Sequence, residues 1–150
     1  MDLLSRSGTV APGAALVRAD DQRRRHGRSA LALATLLAGA GISHFAAADG
    51  FERIVPRVLG ASSAAPLVVA SGVAELVAAA LLVRPRTRRL GAACAAGILV
   101  AVFPANVQMA LDGGLAGAAF PLGSPVASWL RLPLQILLVW WALTLTRRLD

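Results

Sequence analysis

The chain contains no tyrosine, no lysine and a single cysteine. Cys94 lies inside an apolar run, which excludes an internal disulfide, a Cys-x-x-Cys relay and a thiolate-bound cluster. Histidine is almost as scarce. A b-type haem in a helix bundle draws on a histidine pair, yet only His44 lies in an apolar run, and His26 sits in the arginine-rich N-terminal stretch. The same shortage argues against zinc, for which one histidine, one carboxylate and a distant thiol make a poor set. No flavin motif is visible either. Charge is sparse too. Charged residues make up 15% of the chain against 57% hydrophobic. With a mean hydropathy of +0.66, it is too apolar for an ordinary soluble domain.

Four long apolar runs account for most of the chain. A run of about 18 or more apolar residues is long enough to cross a bilayer. Spans are expected over Ser29–Ala48, Ala65–Val83, Leu90–Leu111 and Ser128–Thr146. The expected fold is all-α, a four-transmembrane-helix bundle with a short interfacial helix in the first outer loop. The domain layout follows: a disordered basic cytoplasmic tail over 1–28, the membrane domain over 29–146 and a cytoplasmic end over 147–150. The weakly apolar stretch Thr9–Val17 precedes its basic cluster rather than following it, so no signal-peptide cleavage is expected.

The net charge of +7 comes entirely from arginine. Arginines cluster at 23–28, 84–89 and 147–148, whereas the other two loops offer only Arg53, Arg57 and Arg131. The positive-inside rule therefore puts both termini in the cytoplasm. These clusters suit membrane lipids rather than nucleic acid. Trp129 at one end of the last span, and Trp140 and Trp141 near the other, fit an aromatic belt.

In the first outer loop Phe51, Ile54, Val55, Val58 and Leu59 recur at offsets of three and four, the pattern of a helix lying on the bilayer surface, although Pro56 limits its regularity. The second outer loop, Asp112–Ala127, is rich in glycine and proline and is expected to be irregular.

Polar residues inside spans carry the functional signal. Glu75 lies near the middle of the second span, where an ionised carboxylate costs about 2.5–3.5 kcal/mol on the mildest insertion scale. Ser71, Glu75 and Ala79 share a helix face beside Gly72, a small-residue surface that another helix can approach. His44, toward the outer end of the first span, reaches the depth of Glu75 if the helices tilt or are offset. In the third span Pro104 frees a backbone carbonyl beside Asn106, and Gln108 ends a stripe of small residues. Arg131 and Gln135 share a face of the fourth. The candidate ligand-binding residues are thus His44, Glu75, Asn106, Gln108, Arg131 and Gln135, gathered in the outer half of the bundle. Asn106, Gln108 and Gln135 equally suit simple interhelical hydrogen bonds. Arg131 suits an interfacial anchor better than a ligand contact, because its long side chain can snorkel to the headgroups.

Taken in order, Gly41-Ile42-Ser43-His44-Phe45, Phe51 to Pro56, Ser71 to Leu76, Pro85-Arg86-Thr87-Arg88, Phe103-Pro104-Ala105-Asn106 and Arg131 to Gln135 resemble the DoxX-like family of small bacterial membrane proteins. The resemblance runs from about Gly39 to Trp141. It implies a four-helix protein of the bacterial cytoplasmic membrane, and the family name comes from subunits of a thiosulfate:quinone oxidoreductase. The expected function is then a redox-associated subunit that binds a quinone or another lipid-soluble small molecule, with a redox partner subunit supplying the electron carrier and homo-oligomerisation left open. Two alternatives stand beside it. One is a small proton-coupled transporter, although small multidrug transporters typically carry their key carboxylate in the first span. The other is a non-catalytic scaffold for a soluble enzyme. Whether the chain is itself an enzyme is left open.

Overall fold

The computed structural model describes residues 12–115 and 123–148, and among them every regular element is helical. The elements are α1 (Pro12–Ala46), α2 (Ala48–Arg53), α3 (Ala64–Val83), α4 (Arg88–Ala101), α5 (Phe103–Leu111) and α6 (Pro125–Arg148), with 3-10 turns at Arg57–Leu59 and Ala61–Ser63. Four segments are long and apolar enough to cross a membrane: Leu16–Ala46, Ala61–Val83, Arg88–Leu111 and Pro125–Arg148. Each contains most or all of an expected span.

Three expectations need correction. Residues 12–28, expected as a disordered tail, are helical and continue into the first span, giving a helix of 35 residues that is about 50 Å long at 1.5 Å per residue. Residues 1–11 and 149–150 lie outside the described residues. The third span is not one helix. It breaks at Val102, and Pro104 stands in the first turn of α5, where its missing N–H is tolerated. The helix expected in the first interspan loop is shorter than its periodicity suggests. Pro56 follows α2 and lies outside any helix, so the apolar residues do not share one face: Ile54 is buried, whereas Val58 is 90% exposed. Of the second outer loop, residues 116–122 lie outside the described residues.

Neighbours in sequence are neighbours in space. α3 packs against α1 on one side and α4 on the other, α6 packs against α4 and α5, and a lighter contact brings α6 back to α1. Trp141 Nε1 donates to Ser29 Oγ at 2.7 Å and ties the two ends of that ring together. The core is made of small side chains. Ala30, Ala78, Ala92, Ala95 and Ala142 are fully buried, joined by Leu33, Leu82 and Leu145. Large apolar residues such as Leu36, Val73, Val77, Val100, Leu134 and Leu137 point outward. Membrane helices pack this way, because lipid tails solvate leucine as well as a protein core does, and only close backbone approach is gained by turning small residues inward. The turn between α3 and α4 is capped from within: Thr87 Oγ1 donates to the Leu81 carbonyl at 2.7 Å and Arg88 Nε to the Leu82 carbonyl at 3.1 Å. These bonds satisfy carbonyls at the end of α3 and put a cation at its negative pole.

Candidate functional site

Two glycines set the crossing of α1 and α3. A Cβ on Gly41 would lie 2.9 Å from the Gly72 carbonyl oxygen, and one on Gly72 would lie 2.9 Å from the Phe45 ring and 3.0 Å from His44 Cβ. The two backbones are therefore nearly in contact. The helices run antiparallel there, with Gly41 against Leu76 and Gly72 against His44 and Phe45. His44 and Glu75 lie within this close stretch, and His44 Nδ1 is 3.3 Å from Glu75 Oε2.

The protonation of the imidazole follows from its other contact. His44 Nδ1 lies 2.9 Å from the Ala40 carbonyl oxygen. A carbonyl can only accept, so Nδ1 carries the hydrogen and donates it within the helix. In the neutral ring Nε2 is then the acceptor. Glu75 is 5% exposed. Among the described residues its Oε2 has no hydrogen-bond partner, and neither does the buried Ser71 Oγ. The ring of Phe51, from α2, stacks on His44 with centroids 4.2 Å apart and planes 20° apart. Phe51 also packs on a small cluster of Ile54, Met109 and Leu115. An imidazole and a carboxyl group thus meet beside the Phe51 ring, with the Ser71 hydroxyl one turn from Glu75 on α3. The imidazole and the carboxyl can accept, donate and relay a proton.

The other candidates do not join this group. Asn106 Nδ2 donates to Gln135 Oε1 at 2.6 Å, and Gln135 Nε2 donates to the Leu99 carbonyl at 2.5 Å. Leu99 lies in the last turn of α4, where carbonyls lack an intrahelical partner. The break at Val102 and this stitch therefore belong together: Gln135 of α6 fastens the end of α4 to the start of α5. Gln108 bonds Asp112 at 3.0 Å, and Asp112 in turn faces Arg57 at 3.3 Å. Arg131 reaches the sulfur of Met109, at 3.8 Å.

Sequence reasoning paired Asn106 and Gln135 with the site, and the structure separates them. Phe51 was read within a loop helix that favours an interfacial anchor over a cap on the site; its ring stacks on His44 across the one-residue break at Ala47 between α1 and α2. The Gln108 to Asp112 contact was legible as an i, i+4 pair.

The Gln135 stitch has a measurable weight. Gln135→Leu leaves the Leu99 carbonyl and Asn106 Nδ2 without partners, and a loss of about 0.6–1.7 kcal/mol is expected from the range for membrane side-chain hydrogen bonds. In thermal unfolding in nanodiscs, Asn106→Leu and Gln135→Leu together should destabilise by less than the sum of the two single changes. Additive effects would mean the two amides act independently.

A family described as "Domain of unknown function (DUF8561)" matches residues 33–146, a stretch that contains every residue of both polar groups. Comparison with curated proteins and with solved structures gives no match.

Proposed function

The chain belongs to the DUF8561 family, whose description assigns no activity, and we propose that it binds a quinone or another lipid-soluble small molecule at His44 and Glu75. We place it in the bacterial cytoplasmic membrane with both termini inside. The observation that carries this reading is the buried Glu75 carboxyl, with an unpartnered Oε2 only 3.3 Å from His44 Nδ1. An ionisable pair in the apolar zone is costly to keep, which supports a working role for this one. Nε2 of His44 can accept the hydroxyl proton of a quinol or, once protonated, return a proton to a quinone oxygen. Reduction of the ring takes two electrons and two protons. The protons pass through His44 and Glu75, and the electrons belong to a partner subunit with its own redox centre. The resemblance to DoxX-like proteins supports the same assignment.

In this reading α2 lies on the outer membrane surface, and Phe51 is the removable cover of the site. The arginines at the other end of the bundle meet anionic lipid. Orientation is tested by reporter fusions at Gly60 and Thr87, which should report opposite sides, with Thr87 cytoplasmic. A cytoplasmic signal at Gly60 overturns the topology.

Ligand identity is tested by native mass spectrometry of the full chain extracted gently from its own membrane. A retained quinone that disappears in Glu75→Gln is expected. Retention of phospholipid and a soluble protein alone would instead favour a scaffold.

A further inference from the structure

Thr35, Ser43, Thr144 and Thr146 each donate their hydroxyl to a carbonyl three or four residues earlier in the same helix, and Ser128 donates to Ser124 just before α6. This is the usual resting place of a hydroxyl in a membrane helix, where nothing else offers an acceptor. Ser71 does not do so. Its Oγ is buried and makes no hydrogen bond among the described residues, and the same is true of Glu75 Oε2. The two residues stand four apart on α3, so their side chains rise from neighbouring positions on one face, with Cβ atoms about 5–6 Å apart. That face is turned to α1, since Glu75 meets His44 and Gly72 meets His44 and Phe45. Two unspent oxygens next to each other in an apolar interior are unfavourable, and buried groups of this kind have a partner when the site is complete.

The chemistry limits what that partner is. When Glu75 is ionised, Oε2 only accepts; when it is protonated there, it also donates. His44 Nδ1 already gives its hydrogen to Ala40, so it does not meet the need of Oε2. A carbonyl oxygen from a ligand would serve the protonated carboxyl alone. A hydroxyl serves both states, and it can bond Ser71 Oγ as donor or acceptor at the same time.

We propose that Ser71 and Glu75 together form a hydroxyl-binding site, and that an O–H group, from an internal water or from a lipid-soluble alcohol or phenol, bridges Ser71 Oγ and Glu75 Oε2. Ser71 thereby becomes a ligand contact rather than a packing residue, and the bridging hydroxyl connects the carboxyl to whatever enters beneath Phe51. The site stands independently of whether a quinone is the ligand.

Infrared spectroscopy of the full chain in nanodiscs tests this. The band of the Glu75 side chain is identified by its loss in Glu75→Gln. Ser71→Ala should shift that band, and Ser71→Thr, which restores a hydroxyl at the same place, should return it toward its original position. Circular dichroism of both variants should stay unchanged. The two sources are then separated. In ligand-free nanodiscs a bridging water yields an O–H band that moves on exchange into H2(18)O. A bridging phenol leaves no such band, and the Glu75 band shifts only when reduced decylubiquinone is added. A Glu75 band unmoved by Ser71→Ala and by reduced decylubiquinone, with no O–H band that moves in H2(18)O, overturns the proposal.

Discussion

Gly91→Leu should prevent the bundle from accumulating in folded form. A Cβ at this position would stand 2.7 Å from the backbone nitrogen of Leu82 and 2.9 Å from Leu81 Cβ. The first obstacle is main chain, which cannot rotate away as a side chain can. The only relief is separation of α3 from α4, which opens the alanine core around Ala78, Ala92 and Ala95. Even Gly91→Ala should lower the stability by about 1–3 kcal/mol, the usual range for forcing extra methylenes into a packed interior. Gly97 lies on the same helix with nothing within 4 Å of its virtual Cβ. There, alanine should be neutral or stabilising by up to about 1 kcal/mol, because it removes the helix penalty of glycine. Thermal unfolding of the three variants in one lipid mixture checks the set. Equal behaviour of Gly91→Ala and Gly97→Ala would mean that α3 and α4 do not approach as closely as the structure has them.

Glu75→Gln should weaken binding of decylubiquinone at least tenfold, about 1.4 kcal/mol, while the protein stays folded. Glutamine has the shape of glutamate, so the Gly41 and Gly72 crossing is undisturbed. What is lost is the acidic group facing His44, and with it the capacity to take or give a proton at Oε2. An effect on binding rather than on folding separates a working carboxyl from a packing one. Gln108→Ala provides the contrast. Its amide is engaged with Asp112 on α5 and the loop, apart from His44, so affinity should stay within a factor of about two, within the usual ±0.5 kcal/mol of a neutral substitution. Titration of both variants in nanodiscs decides. Equal affinity of Glu75→Gln and the parent protein would reduce Glu75 to a structural residue.

The four spans were legible because a run of about 20 apolar residues has few other uses in a chain this short. The meeting of His44 with Glu75 was legible as well, from their depths and from the small residues beside them. What stayed hidden depended on contacts between distant parts of the chain. Pro104 announced a freed carbonyl, but the acceptor that matters is Leu99, and its partner Gln135 lies 36 positions away. Phe51 was read as part of an interfacial face, yet its ring stacks on His44 across the break between α1 and α2. The helical state of 12–28 was missed for a different reason. Its arginines and aspartates suggested a solvated tail, but arginine, alanine, leucine and glutamine are good helix formers, and a helix already nucleated in the apolar run extends through them at little further cost.

The most direct test is photoaffinity labelling of the protein in its own membrane with an azido-quinone, followed by peptide mass spectrometry. Labelling should concentrate on the peptides bearing His44, Phe51 and Ser71 to Glu75, fall when unlabelled quinone competes, and vanish in Glu75→Gln. Label spread evenly over the outward-facing leucines and valines, with no competition, would contradict a site at His44 and Glu75.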